Sequence, residues 1–452
     1  MANLLANIGE VNFETVCTAL GWKESTRCKE PSQKHIKVAI VNVLIETSKK
    51  NDCHLIHQSG FFYIYNSAYW QLLENSEVKH LLKKAAIKMG YAKIESKDSA
   101  FVENLFKQAK NDGFFEERNY ARHSIINLQN GSLVLGEDCI TLKPFDYRDF
   151  LTHQLDFAHD PRAVNTLFLK YLEEVLPDEN TRLTLQQVAG YLFIKGLKME
   201  KIIFLIGVGS NGKSVFFEVL SGVIGTENIS NYSLEELTDD KGYHRAKIQD
   251  KIVNFGTDIR LTKFNAGMFK TLASGEPIGA RLPHRHPFIM SDYAKLIFNV
   301  NQLDSANVEH THGFFRRLLT IPFNKTIPDE QQDRDFHKKI LLNRAGVLNW
   351  IIEGAEQVIK NRDIFVSDEC NKFKEQFIKE SDSVAMYEEN WTTNMPGSNY
   401  SKKVSEAHQD FKEFCKDVIF KALGRNIFAK RMEALGFVKS KKEGGMFLEK
   451  RM

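Results

Sequence analysis

Apolar positions along the chain follow two periods, and the switches between them mark its elements. LIHQSGFFYIYNSAYWQLL reads as two aromatic strands around a turn, Tyr63 to Tyr65 before Asn66-Ser67 and Tyr69-Trp70 after it. HSIINLQNGSLVLGEDCITLKPF repeats that hairpin logic, whereas PRAVNTLFLKYLEEVL and ENTRLTLQQVAGYLFIKGL carry apolar residues at helical spacing. In KIIFLIGVGSNGKSVFFEVLSGVIG an apolar run enters a glycine-rich turn and leaves as a helix. Short apolar runs follow, KIVNFGTDI, HPFIMS, YAKLIFNVN and RRLLTIPF, with Pro287 and Pro322 limiting strand pairing locally. After the helical AGVLNWIIEGAEQVIK and a charged connector, the tail reads helix, turn, helix, strand, tight turn, strand. That order predicts a winged helix-turn-helix.

The expected architecture is α/β. A small α+β accessory domain covers 1–120, a helical domain 121–197, a P-loop ATPase core with a parallel sheet 198–365, a helical connector 366–400 and the winged helix 401–452. A length of 452 residues accommodates this, and 42% hydrophobic with 26% charged residues excludes a disordered chain or a filament. A net charge of +3 excludes a histone-like polycation, but residues 401–452 hold 13 Lys and Arg against seven Asp and Glu. Any nucleic-acid contact is therefore local. The six cysteines are dispersed with no C-x-x-C pair, which argues against a zinc knuckle or disulfide framework and for a reducing cytoplasm. An acidic N-terminus and the lack of any run of about 18 apolar residues argue against secretion and a membrane span.

The sharpest chemical signal is Gly207-Val208-Gly209-Ser210-Asn211-Gly212-Lys213-Ser214, which fits G-x-x-x-x-G-K-[ST] between a strand and a helix. Its backbone N–H groups would face the phosphates of ATP, Lys213 would reach the β and γ phosphates, and Ser214 would offer a hydroxyl to Mg2+. Asp258, closing an alternating apolar run, supplies the acid such a site needs for metal or water; the plain alternative is a carboxylate starting a loop. Asn301 ends another buried run, where it would orient the attacking water or simply make a strand-end turn. Arg316 and Arg317 precede a buried strand, and a planar cation there suits transition-state charge in a neighbouring subunit, or else is a surface pair. On the tail's second helix, Asn426, Lys430 and Arg431 occupy the element that ordinarily enters a major groove, although winged helices also bind proteins. The aromatics of 61–70 would stack bases or, more simply, fill a core.

These elements, in this order, resemble the superfamily 3 helicases, in particular the C-terminal ATPase of phage, plasmid and poxvirus primase-helicases. The counterparts are Asn211 to Ser214, the Asn254 to Asp258 strand, the Lys270 to Pro277 turn, the strand ending at Asn301 and Phe315-Arg316-Arg317. Asn127-Leu-Gln-Asn-Gly-Ser-Leu resembles the opening of the family's helical domain. The resemblance implies an AAA+ ATPase assembled as a ring, usually a hexamer, that translocates on DNA and cleaves ATP between subunits. It also implies a channel hairpin ahead of the Asn301 strand, here 280–288, with His284, Arg285 and His286 at the tip contacting phosphates without reading sequence.

Two departures stand out. Thr257-Asp258-Ile259 offers one acid where the family often has a Glu or a pair, and residues 1–120 are too few for the family's primase and carry no convincing acidic metal pair. A separate primase or replication protein is then the expected partner. The leading expectation is a helicase of a phage or mobile element that opens single-stranded from duplex DNA in a bacterial host or phage-infected cell. The runner-up is an AAA+ switch or loader that hydrolyses ATP without unwinding. A P-loop small-molecule kinase would leave the arginine pair and the tail unexplained.

Overall fold

The computed structural model divides the chain into two units, Met1–His159 and Asp160–Met452. It describes all residues except 26–28, 59, 114–123, 138, 258–263, 284–285, 302, 304–309, 395–398, 419, 421 and 452.

In the first unit a three-stranded antiparallel meander, Leu55–Gln58, Phe61–Tyr65 and Trp70–Leu73, shares a core with helices Gln33–Lys50, Asn75–Lys88 and Ser99–Asp112. Alternation along the middle strand sorts its side chains: Phe62 and Ile64 join Leu44, Leu82 and Phe101, while Tyr63 and Tyr65 join Ile56 and Trp70. Tyr63, Tyr65 and Trp70 are at most 5% exposed, so these aromatics are core. Asn66 makes the turn, its side-chain oxygen accepting from the Ala68 and Tyr69 N–H groups. A second meander, Ser124–Leu128, Gly131–Leu135 and Ile140–Lys143, is fastened by the Asn127 amide, which donates to Ala68 O at 2.9 Å and His153 O at 3.1 Å. Residues 121–197, grouped together from the sequence, thus divide: these strands belong to the first unit and the helices Thr166–Val175 and Glu179–Tyr191 to the second.

The second unit is built on five parallel strands, β1 (Ile202–Ile206), β2 (Ile229–Ser230), β3 (Val253–Thr257), β4 (Lys295–Val300) and β5 (Leu318–Pro322). Their order across the sheet is β5-β1-β4-β3-β2. Ile202, Phe204 and Ile206 pack with Leu296, Phe298 and Val300 on one face, and Ile203, Leu205 and Ile297 are buried on the other. Burial of both faces is why these strands read as continuous apolar runs. Pro322 closes the edge strand, where its missing N–H costs least. Helices Glu179–Tyr191 and Arg344–Asn361 cross so closely that a Cβ on Gly354 would lie 2.1 Å from Gln186 O.

Residues 366–400, expected as a helical connector, contain two helices, each packed into a core. Asp368–Glu380 lies along β5, where the Thr320 hydroxyl donates to Cys370 O at 3.3 Å and Phe377 enters the sheet core. Ser383–Asn394 gives Val384, Tyr387 and Trp391 to the C-terminal core, beside Tyr400, Phe411, Phe428 and Leu448. That core also takes strand Asn399–Lys403, helices Val404–Asp417 and Arg425–Ala434, and strands Val438–Lys442 and Gly445–Arg451. The three strands are antiparallel with the last one central. Among the described residues, no helix is long and apolar enough to cross a membrane.

Candidate nucleotide-binding site

Beyond Ile206 the chain turns through Gly207 to Gly212 and enters helix Lys213–Ile224. Gly209, Ser210 and Gly212 have φ of 65°, 46° and 84°, a left-handed path in which only Ser210 carries a side chain. No side chain caps the helix at Gly212, so its first-turn N–H groups point into the loop with the positive end of the helix dipole. Such a terminus receives an anion. Gly207 is required sterically: a Cβ there would lie 2.0 Å from Asn211 Nδ2 and 2.4 Å from Phe323 O. Val208 at the tip is 87% exposed, and Ser214 is exposed on the first helical turn.

Lys213 is buried rather than extended into solvent. Its ammonium donates to Gly207 O at 2.5 Å and to Asn211 Oδ1 at 2.7 Å, and burial lowers its pKa to about 8. Asn211 in turn donates to Phe323 O at 3.0 Å, at the end of β5. The loop therefore holds its own lysine, and a polyanion arriving there would favour the charged form again.

Sequence reasoning missed Tyr171, because helix Thr166–Val175 reads as an ordinary apolar face. Its hydroxyl donates to Gly212 O at 2.7 Å, and a Cβ on Gly212 would meet Val175 Cγ1 at 2.5 Å. Burial pushes the phenol pKa up, so it remains a donor. Tyr171→Phe keeps the packing and removes this one bond, worth about 1 kcal/mol. Nucleotide affinity should weaken by roughly two- to tenfold with thermal melting little changed, as binding titration and a melting curve would report.

Strand register gathers the other candidates at the same edge. Val300 pairs with Ile206 and Asn299 with Thr257, and Gly207 N–H donates to Val300 O at 3.2 Å. The exposed Asn301 thus lies one residue beyond the strand beside the P-loop. Asp258 follows Thr257 and lies outside the described residues. The hydroxyl of Ser214 is a hard oxygen donor of the kind Mg2+ takes. Among the described residues, no group of three or more His, Cys, Asp or Glu could hold a metal ion. Asn254 is buried and structural, joining β3 to the end of β2 by accepting from Ser230 Oγ at 2.9 Å and Tyr232 N at 2.9 Å.

Arg316 and Arg317 lie at the opposite end of the strands. Leu318 pairs with Ile202 and Pro322 with Ile206, so the arginines flank the start of β1 while the P-loop follows its end, about 16 Å along the strand. The two differ in setting. Arg317 is 12% exposed and donates to Gly313 O at 2.6 Å and Ser274 Oγ at 2.9 Å. Arg316 is 45% exposed, its guanidinium 2.7 Å from Glu200 Oε2, while its carbonyl accepts from Lys201 Nζ at 2.6 Å.

Strands Ile278–Ala280 and Phe288–Met290 form an antiparallel hairpin closed by Ala280 and Phe288. The buried Arg245 supports its base, donating to Gly279 O at 2.9 Å and Leu237 O at 2.7 Å. His286 is exposed at the tip; His284 and Arg285 lie outside the described residues. On helix Arg425–Ala434, Asn426 and Lys430 are exposed, but Arg431 turns inward to Asp382 and His310. Lys402, Lys439, Lys442 and Lys450 also pair with carboxylates, so among the described residues at least five of the tail's 13 cations are engaged within the unit.

Two family profiles match the chain. One is described as D5 N terminal like and covers residues 44–177; the other is a family of unknown function, DUF5906, over residues 205–317. A curated relative, "Putative helicase L207/L206" of Acanthamoeba polyphaga mimivirus, is 24% identical over 273 residues, 56% of this chain. The chain spans about a quarter of that relative, 25% of its length. The A form apo structure of the NrS-1 C-terminal region shares the fold at a TM-score of 0.50 and 10% identity, covering 91% of this chain and 99% of that one. A second apo structure of that region superposes at 0.48 and 9% identity, covering 94% and 100%. The chain is thus similar over part of its length to a D5 N terminal like profile and to a putative viral helicase.

Proposed function

We propose that the chain is an ATP-dependent DNA helicase of a phage or mobile genetic element, a ring-forming superfamily 3 AAA+ translocase, most simply a hexamer. The observation that carries this is the placement of the P-loop and the arginine pair at opposite ends of the adjacent strands β1 and β5. Arg316 is too far along the sheet to serve its own P-loop, so a phosphate it touches belongs to a neighbouring copy. Its exposure favours it over Arg317, whose bonds to Gly313 and Ser274 make it a structural anchor.

In this reading residues 198–365 form the ATPase. Gly207 to Gly212 cradle the phosphates, Lys213 leaves Asn211 for the β and γ phosphates, and Asn301 orients the attacking water. Ser214 and Asp258 would hold Mg2+, which when bound neutralises charge on the phosphates. The hairpin with His284, Arg285 and His286 contacts single-stranded DNA, and the tail, read as a winged helix, offers Asn426 and Lys430 to duplex. A separate primase supplies primers, and the assembly works in the cytoplasm of a bacterial host or phage-infected cell. Internal pairing of the tail's cations favours the second reading, an AAA+ loader or switch that does not unwind.

A forked duplex separates the two. ATP should release the labelled strand, and a non-hydrolysable analogue should not. ATP hydrolysis stimulated by DNA without strand release would establish the loader and end the helicase reading.

A further inference from the structure

Asp382 sits between helices Asp368–Glu380 and Ser383–Asn394 and is 10% exposed at its side chain. Its Oδ1 accepts from the Val384 and Ala385 N–H groups at 3.1 and 3.2 Å, and its Oδ2 pairs with Arg431. The same guanidinium donates to His310 Nδ1 at 2.8 Å, leaving Nε2 to donate to Ile378 O at 3.1 Å. One neutral tautomer satisfies both bonds. The His310 ring stands edge-on to Phe315 with centroids 4.8 Å apart, and Phe315 is edge-on to Phe377 at 6.2 Å. Phe315 directly precedes Arg316. A side chain from the tail's second helix therefore helps hold the ring packed against Phe315, the last residue of helix His312–Phe315, which Arg316 caps.

We propose that Arg431 is a positioning residue for Arg316, acting through His310 and Phe315, and that it is not a duplex contact. The inference rests on the reading of Arg316 as a finger acting in the neighbouring site. Removing Arg431 leaves the buried Asp382 carboxylate with only the His310 ring beside it, Nε2 lying 3.7 Å from Oδ2, and leaves His310 Nδ1 without its donor. His310, held then by Ile378 O alone, is freer to turn, Phe315 loses one of its edge-on partners, and the approach of the Arg316 backbone is less fixed. Displacement of the C-terminal module would reach the finger by the same route.

The test compares steady-state kinetics of Arg431→Ala and Arg431→Lys, followed by mixed assemblies. Arg431→Ala should lower kcat by about tenfold or more with KM for ATP within about twofold, and Arg431→Lys should recover part of the loss by restoring charge opposite Asp382. Asp382→Asn, which keeps the helix cap, should show the same split and covers the case in which Arg431→Ala melts early. Mixed with Lys213→Ala subunits, Arg431→Ala subunits should regain turnover, because their intact P-loops meet intact fingers. Mixed with Arg316→Ala subunits, they should not. Unchanged kcat, or recovery with Arg316→Ala subunits, overturns the proposal. Failure of Lys213→Ala and Arg316→Ala subunits to rescue each other is a separate result, which removes the finger reading itself and this inference with it.

Discussion

Lys213→Ala is expected to abolish ATP hydrolysis while leaving the protein folded. The variant loses the cation that meets the β and γ phosphates, and no other side chain in Gly207 to Ser214 carries a positive charge. Stability should change little, because the lost bonds to Gly207 O and Asn211 Oδ1 are offset by removing an ammonium that burial disfavours, lowering its pKa to about 8. Phosphate oxygens favour the charged form, so the pKa rises on binding. In the wild type, ATP binding above about pH 8 should therefore take up a proton, and affinity should fall as pH rises through that range. Calorimetric titration in buffers of different ionisation enthalpy reads this uptake, and Lys213→Ala should lack it. Normal turnover in a variant with an unaltered melting curve would remove the site assignment.

Arg316→Ala should reduce turnover at saturating ATP by about 10³ to 10⁵, with KM for ATP little affected, since the guanidinium is proposed to act on transition-state charge rather than on ground-state binding. Arg317→Ala should behave differently. It removes a mostly buried guanidinium bonded to Gly313 O and Ser274 Oγ, so a lower melting temperature is its expected signature. A large kcat loss in Arg317→Ala with unchanged melting, and none in Arg316→Ala, would reverse the assignment.

What the sequence discloses depends on whether a role resides in local pattern or in contacts made across the chain. The P-loop is legible because its glycines, lysine and flanking apolar run lie within one stretch, and the structure gives that stretch a strand, a left-handed turn and a helix. The order helix, helix, strand, strand near the C-terminus is legible for the same reason. Strand Asn399–Lys403 escaped notice because Asn-Tyr-Ser-Lys-Lys has little apolar alternation, its place being set by pairing with Gly445–Arg451. Tyr171 escaped because its hydroxyl meets Gly212 some 41 residues away. Arg431 shows the converse: the sequence offers a basic residue on a predicted groove-facing helix, and its pairing with Asp382 and His310, distant in sequence, is visible only in the structure. The difference between Arg316 and Arg317 has no sequence signal, because it rests on Glu200, Gly313 and Ser274.

Rescue between two dead proteins tests most directly whether ATP is cleaved between subunits. Lys213→Ala subunits retain the finger and lack the P-loop lysine; Arg316→Ala subunits retain the lysine and lack the finger. Neither should hydrolyse ATP alone. In mixed assemblies some interfaces join an intact P-loop to an intact finger, and turnover should rise with the fraction of such interfaces as the mixing ratio is varied. Absence of any recovery in assemblies verified to contain both variants would contradict a shared site and end the reading of Arg316 as a finger.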